Sequence, residues 1–176
     1  MEIACSSFTL RPLRAADAAS MAKHANNYNV WRNLRDYFPH PYKPEDAAAF
    51  IRMNEDLDDA LTNFCIDVKG ACAGVIGFVP QPDVYARSAD FGYWLGEPFW
   101  GKGIMTEAAS QTAAFIFRRF DIVRLYAGVF DWNRASMRVL EKAGFEKECV
   151  FEDAIYKDGQ LISEHRYSLL KKNWQP

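Results

Sequence analysis

The chain lacks a basic excess: Lys and Arg number 21 against 23 Asp and Glu, a net charge of −2 over 176 residues. Proteins that live on nucleic acid carry a cationic surplus to neutralise phosphates, so nucleic acid is not an expected partner. Only local basic patches remain, at Arg32 and Arg35 or at Arg118, Arg119 and Arg124. Cysteine is sparse. Cys5, Cys65, Cys72 and Cys149 form no C-x-x-C pair, and no histidine stands at zinc-finger spacing, so no metal is expected. The opening residues, Met1-Glu2-Ile3-Ala4-Cys5, lack the basic-then-apolar layout of an export signal. Scattered thiols in such a chain read as reduced cysteines in the cytoplasm. Long apolar runs are missing too. The longest, over 71–79, is about half of what a membrane helix needs, so no membrane partner is expected. Repeats, low-complexity stretches and linkers are all absent.

What is present is a globular balance, 49% hydrophobic and 25% charged, in a length that suits one core and one domain over 1–176. The segment 8–13 reads as a first strand. Asp17 can cap a helix whose Ala18, Met21, Ala22 and Ala25 share a face, and Asn26 and Asn27 end it. The stretch 31–42 is aromatic and broken by Pro39 and Pro41, which predicts a loop or a short broken helix. Pro44, followed by Glu45 and Asp46, starts a second helix with Ala47, Phe50 and Ile51 inside. Segment 62–69 alternates as a strand, turns at Lys69-Gly70 and returns over 73–79, with a third strand over 88–95. A helix over 104–119, a buried strand over 125–130 and a helix over 133–143 closed by Gly144 follow. Strands over 148–156 and 162–170, joined at Lys157-Asp158-Gly159, complete the chain. This order predicts a mixed α/β (α+β) domain, with parallel pairing around the strand-helix-strand unit over 91–130.

One loop stands out. Trp100-Gly101-Lys102-Gly103-Ile104-Met105-Thr106 joins a strand to a helix, and helix starts present unpaired N–H groups and partial positive charge to an anion. Gly101 and Gly103 let a phosphate approach the backbone closely, and Lys102 adds a charge. Two other readings compete. Gly96, four residues and then Gly101-Lys102 nearly fit a P-loop, which would make the chain a nucleotide-phosphate binder. That fit fails where Gly103 replaces the magnesium-binding hydroxyl, and Glu97-Pro98-Phe99-Trp100 is too bulky to wrap a phosphate. The plainer alternative is a two-glycine corner with no ligand at all.

Further pieces bear on the choice. Phe8-Thr9-Leu10-Arg11-Pro12-Leu13 with Asp17, then Phe38-Pro39-His40-Pro41-Tyr42 with Glu45-Asp46-Ala47, then Gly92-Tyr93-Trp94-Leu95 stand in order. Trp100-Gly101-Lys102-Gly103 with Thr106-Glu107-Ala108 comes next, then Asn133 and Ser136 leading into Glu141-Lys142-Ala143-Gly144-Phe145. Lys157-Asp158-Gly159 and Tyr167-Ser168-Leu169-Leu170 end the series. With these pieces, nearly end to end, the sequence resembles the GNAT superfamily of acyl-CoA N-acyltransferases, and its RimJ/RimL-like branch in particular.

The resemblance implies a central mixed sheet of about seven strands flanked by helices, with two parallel strands splayed to admit coenzyme A. It implies acetyl-CoA as co-substrate, its pantetheine arm pairing with main-chain groups of Trp94 and Leu95 against the partner strand over 125–130. The pyrophosphate would rest on Gly101, Lys102, Gly103, Ile104, Met105 and Thr106. Trp100 and Met105 depart from the family's Q/R-x-x-G-x-G/A signature, and a leading Trp matches the branch. Asn133 would bond the arm, and the backbone N–H of Leu95 would stabilise the oxyanion. Leu140 stands where many members carry an acid tyrosine, which leaves Ser136 to protonate the thiolate unless it merely bonds its own helix start. Ile155 aligns with the branch's glutamate base. The base therefore stays open among Glu152, Asp153, Asp67, Glu164 and water.

Trp31, Arg35, Tyr37 and Tyr93 are the acceptor-side candidates, with Phe78 and Phe130 as further pocket walls, while His40 and His165 read as structural or surface residues. The expected reaction transfers acetyl to a primary amine, on a protein N-terminus or a small molecule, by direct attack in a ternary complex. A coenzyme-A-binding sensor without turnover is the alternative. Either a monomer or a homodimer fits.

Overall fold

The computed structural model describes residues 1–55 and 62–175. Among them stand eight strands and five α-helices. In chain order they are β1 (Ile3–Ala4), β2 (Thr9–Pro12), α1 (Ala18–Ala25), α2 (Tyr28–Trp31), α3 (Pro44–Glu55), β3 (Asn63–Val68) and β4 (Ala71–Pro80). Then come β5 (Ser88–Leu95), α4 (Ile104–Arg119), β6 (Arg124–Phe130), α5 (Arg134–Lys142), β7 (Glu146–Lys157) and β8 (Gln160–Leu170). The strands form one mixed sheet in the order β1-β2-β3-β4-β5-β6-β8-β7, the mixed α/β architecture expected from the sequence. It has one strand more than expected: β1 is only two residues long, too short to show a period.

The residues fall into two compact units, one of 1–77 with 93–108 and the other of 78–92 with 109–176. In the first unit, Met21, Ala22 and Ala25 of α1 and Ala47 and Ile51 of α3 turn inward as their spacing predicts, and close over Cys65, Cys72 and Val75 of the sheet. Pro44 opens α3, and the Asp46 carboxylate reaches back to accept from the Lys43 N–H at 2.8 Å. Asp17 does not cap α1 with its side chain, contrary to expectation. Its carboxylate accepts two hydrogen bonds from the Arg11 guanidinium, at 2.7 and 2.8 Å, and a third from the Arg14 N–H. Arg11 also donates from Nε to Asp67 at 2.7 Å. Arg11, 4% exposed, thus binds two carboxylates, and the Arg14 bond lets Asp17 cap the 3-10 turn Ala15–Asp17 rather than α1.

In the second unit, β5 and β6 run parallel, with Ser88, Ala89 and Asp90 opposite Arg124, Leu125 and Tyr126. Strand β8 lies antiparallel between β6 and β7. Helix α5 closes at Gly144, whose φ of +90° and the Phe145 N–H to Leu140 carbonyl bond give the expected C-terminal turn. Strand β7 is the sheet's edge, exposed almost throughout, and its register breaks between Lys147 and Cys149 and again between Phe151 and Ile155. Among the described residues no helix is long and apolar enough to cross a membrane.

Candidate active site

The loop after β5 is built from a short turn and two left-handed glycines. Glu97–Phe99 forms a single 3-10 turn, and Gly101 and Gly103 then take φ of +73° and +77°. Side-chain-free residues of this handedness aim neighbouring N–H groups into one hollow. A Cβ at either glycine would meet nothing within 4 Å, so the hollow is open. The first backbone bond of the helix start runs from the Glu107 N–H to the Gly103 carbonyl at 3.1 Å. Ahead of it, among the described residues, the N–H groups of Gly101, Lys102, Gly103, Ile104 and Met105 have no hydrogen-bond partner. The side chains of Ile104 and Met105 are buried and fix the turn from beneath, while Thr106 is half-buried at its end. Such a nest of donors at the positive end of a sixteen-residue helix is suited to a diphosphate.

The side chains of the loop brace it from within. The Trp100 indole N–H donates to the Leu95 carbonyl at 2.7 Å, which ties the loop back to the strand it leaves. Lys102 folds onto its own loop, with Nζ on the Pro98 carbonyl at 2.8 Å and above the Phe99 ring at 5.7 Å. Glu107, the acidic residue of the first turn, is turned aside to the Ser6 N–H and hydroxyl. Burial first, and the Glu107 charge second, push the Cys5 thiol up to about 11.

Strand geometry separates Trp94 from Leu95. The Gly96 N–H donates to Ala73 of β4 at 2.8 Å, and a Cβ at Gly74 would strike the Trp94 carbonyl. Main-chain groups alternate along a strand, so Trp94 and Gly96 face β4 and Leu95 faces away from it. The expectation that both residues offer main-chain groups to a ligand therefore narrows to Leu95, whose carbonyl is already bonded to Trp100 and whose N–H points to the same side.

The aromatic segment 31–42 is the loop expected from its prolines, with only Trp31 in a helix, as the last residue of α2. Helix α1 ends at Ala25 with Asn26 as its cap, as expected, and Asn27 goes on to start α2: its Oδ1 accepts from the Asn29 and Val30 N–H groups at 2.7 and 3.3 Å. Trp31 lies on α2, half-buried, and stacks on His40 at 5.4 Å. Arg35 and Tyr37 are exposed, the latter by 83%, and Tyr93 on β5 is half-buried. A cluster the sequence reading missed joins the two segments. Asn27 and Asn29 both donate to the Glu97 carboxylate and hold it below the usual carboxylate range.

In the second unit, Asn133 caps α5: its Oδ1 accepts from the Ser136 N–H at 3.1 Å, which leaves its Nδ2 to donate elsewhere. Ser136 is half-buried in the first turn, and Leu140 is fully buried, so the position of the missing tyrosine belongs to the core. Phe78 is also core, edge-on to Phe120 at 5.0 Å, rather than a pocket wall. Phe130 is buried edge-on to Trp132. His40 is exposed, and His165 is buried, where desolvation lowers its pKa.

Of the carboxylates named as bases, Asp67 is committed to Arg11 and to the Gly70 N–H. Glu152 and Asp153 lie exposed in the second register break of β7, with Asp153 at φ +49°. Glu164 is 8% exposed and accepts from Arg166 at 2.6 Å, and Arg166 lies over the rings of Tyr126 and Phe151 at 5.0 and 5.3 Å. Its carboxylate occupies the space a Cβ at Gly128 would need, at 2.5–2.8 Å. Gly128→Ala is therefore expected to cost about 1–3 kcal/mol of stability through overpacking. A urea midpoint unchanged by that substitution would show that Glu164 moves aside freely. Among the described residues no group of three or more His, Cys, Asp or Glu is placed to hold a metal ion.

The family description "Acetyltransferase (GNAT) domain" matches residues 7–146. The uncharacterized N-acetyltransferase p20 of Bacillus licheniformis is 34% identical over 171 residues, 94% of this chain and 94% of that one. YdaF of Bacillus subtilis, whose name assigns it to ribosomal N-acetylation, is 32% identical over 70% of this chain and 66% of its own length, just under two thirds. The fold is shared with a RimL ribosomal L7/L12 α-N-protein acetyltransferase solved with coenzyme A, at a TM-score of 0.83 and 23% identity, over 97% of this chain and 98% of that one. The open nest ahead of α4 and a family match that spans most of the sequence agree: the chain belongs to the GNAT acetyltransferase family, the acyl-CoA-dependent N-acetyltransferases.

Proposed function

We propose that the chain acetylates a primary amine, on a protein N-terminus or a small molecule, with acetyl-CoA in a ternary complex. The observation that carries this reading is the run of five unpartnered N–H groups from Gly101 to Met105, a seat for the coenzyme's diphosphate. Trp100 shapes that seat by holding the loop to Leu95, and Thr106 closes it. The Leu95 N–H then serves the thioester oxygen, because of Trp94, Leu95 and Gly96 it is the one that points away from β4.

The neutral amine nitrogen attacks the thioester carbonyl carbon and forms the new C–N bond. The oxyanion collapses, the C–S bond breaks, and the sulfur leaves with its electron pair. Ser136 passes a proton to the departing thiolate and regains one from solvent, so its hydroxyl is restored, and Asn133 steadies the arm through its Nδ2. The proton released by the amine passes to water: Asp67 is engaged by Arg11, Glu164 by Arg166, and Glu152 and Asp153 lie exposed in the register break of β7. Trp31, Arg35, Tyr37 and Tyr93 receive the acceptor. The four free cysteines suit a reducing, cytoplasmic setting.

Thiol release from acetyl-CoA with a panel of amines tests the reading, beginning with ribosomal-protein N-terminal peptides because of the YdaF and RimL names. Coenzyme binding without release from any amine would leave a binding module. Ser136→Ala is expected to lower kcat about 10-fold or more with little change in coenzyme affinity, the range of a lost general acid. An unaltered rate would return Ser136 to a purely structural place at the start of α5.

A further inference from the structure

We propose that Glu97 is a positioning residue that couples the coenzyme loop to the acceptor segment, so that ordering the loop orders α2. The inference rests on the acetyl-CoA reading above. Helix α2 has four residues, too few to hold itself together, and it depends on what its ends are bonded to. Its start is Asn27, and that one side chain works in two directions. Its Oδ1 accepts from Asn29 and Val30 to begin the helix, and its Nδ2 donates to Glu97 Oε2 at 2.8 Å. Asn29, on the helix itself, donates to both oxygens of the same carboxylate at 3.1 and 3.2 Å.

Glu97 is exposed, with no apolar packing to explain three bonds converging on one side chain. Its turn is held on the other side as well. Phe99 meets His24 of α1 edge-on at 5.0 Å, and Lys102, between the two positive-φ glycines, bonds the Pro98 carbonyl. A continuous set of contacts thus runs from the diphosphate seat through Lys102 and Pro98 to Glu97, and from there through Asn27 and Asn29 to α2. At the far end of α2, Trp31 stacks on His40. Rigidity gained at the loop then lowers the entropy cost of ordering the aromatic surface that meets the amine.

Hydrogen–deuterium exchange on the full chain, with coenzyme A as the only ligand, reads this coupling directly. In the wild type, coenzyme A is expected to slow exchange roughly 5-fold or more at Gly101 to Met105 and also at the amides of Asn29, Val30, Trp31 and Arg32. In Glu97→Ala the loop protection stays while the α2 protection falls below about 2-fold, and Glu97→Gln, which keeps one carbonyl acceptor, lies between. Asn29→Ala removes the contact from the helix side and gives the same loss should Glu97→Ala fold poorly. Protection of α2 that survives in both variants overturns the proposal, as does a wild type protected at the loop alone. A wild type with no protection at Gly101 to Met105 overturns the coenzyme seat instead.

Discussion

Gly103→Glu is expected to abolish coenzyme A binding in a chain that still folds. The φ of +77° makes any side chain at this position strained, at a cost of about 1 kcal/mol. Room is not the obstacle, since a Cβ there meets no atom within 4 Å, and the buried Ile104 and Met105 keep the helix start in place. What changes is the occupant of the hollow. A carboxylate would compete for the same five N–H groups and repel the diphosphate at close range. A loss of at least about 100-fold in affinity follows, roughly 2.7 kcal/mol. Gly103→Ala carries the strain without the charge and is expected to lose about 10-fold or less. Calorimetric titration with coenzyme A, alongside thermal unfolding of the same samples, separates the two effects. Undiminished affinity in a folded glutamate variant would place the diphosphate elsewhere.

Arg11→Ala is expected to cost about 3–5 kcal/mol of stability, because it strands the buried Asp17 carboxylate without its cation. Burial alone would raise the Asp17 pKa. The Arg11 guanidinium and the Arg14 N–H outweigh it and hold the carboxyl below its ordinary value. A depressed folded pKa contributes stability above the unfolded value of about 3.9 and loses it as pH falls from there through the folded value. Wild-type urea midpoints should therefore drop steeply below about pH 4. Those of Asp17→Asn should start lower at neutral pH and flatten over the same interval. Parallel slopes in the two proteins would remove Asp17 as the source of acid sensitivity.

Sequence periodicity located the long elements because their inner faces repeat. Ala18, Met21, Ala22 and Ala25 were legible as one stripe, and the alternation of Phe64 and Ile66 marked a strand. The nest was legible as well, since Gly101 and Gly103 sit where a strand must turn into a helix. Partnerships between distant residues were not. Asp17 looked like a cap and Asp67 like a free acid because Arg11, which binds both, lies six residues from one and fifty-six from the other. Asn27 read as a stop signal, which held because α1 ends before it, but its second role as the start of α2 and its bond to Glu97, seventy residues on, were not legible. Alternation alone cannot say which side of β5 faces β4. The bond from Gly96 to Ala73 settles that, and with it the different main-chain directions of Trp94 and Leu95.

The interrupted strand β7 bears on what the free margin of the sheet can template. A net charge of −2 offers little mutual repulsion between copies, and an outermost ribbon carrying Val150, Phe151 and Tyr156 would otherwise be an inviting template for stacking. Its in-register stretches, however, are no longer than three residues, Cys149 to Phe151 and Ile155 to Lys157, with a kink at Asp153 between them. A foreign chain laid along that margin would lose step before it could form a stable ladder, so shape guards here where electrostatics are weak.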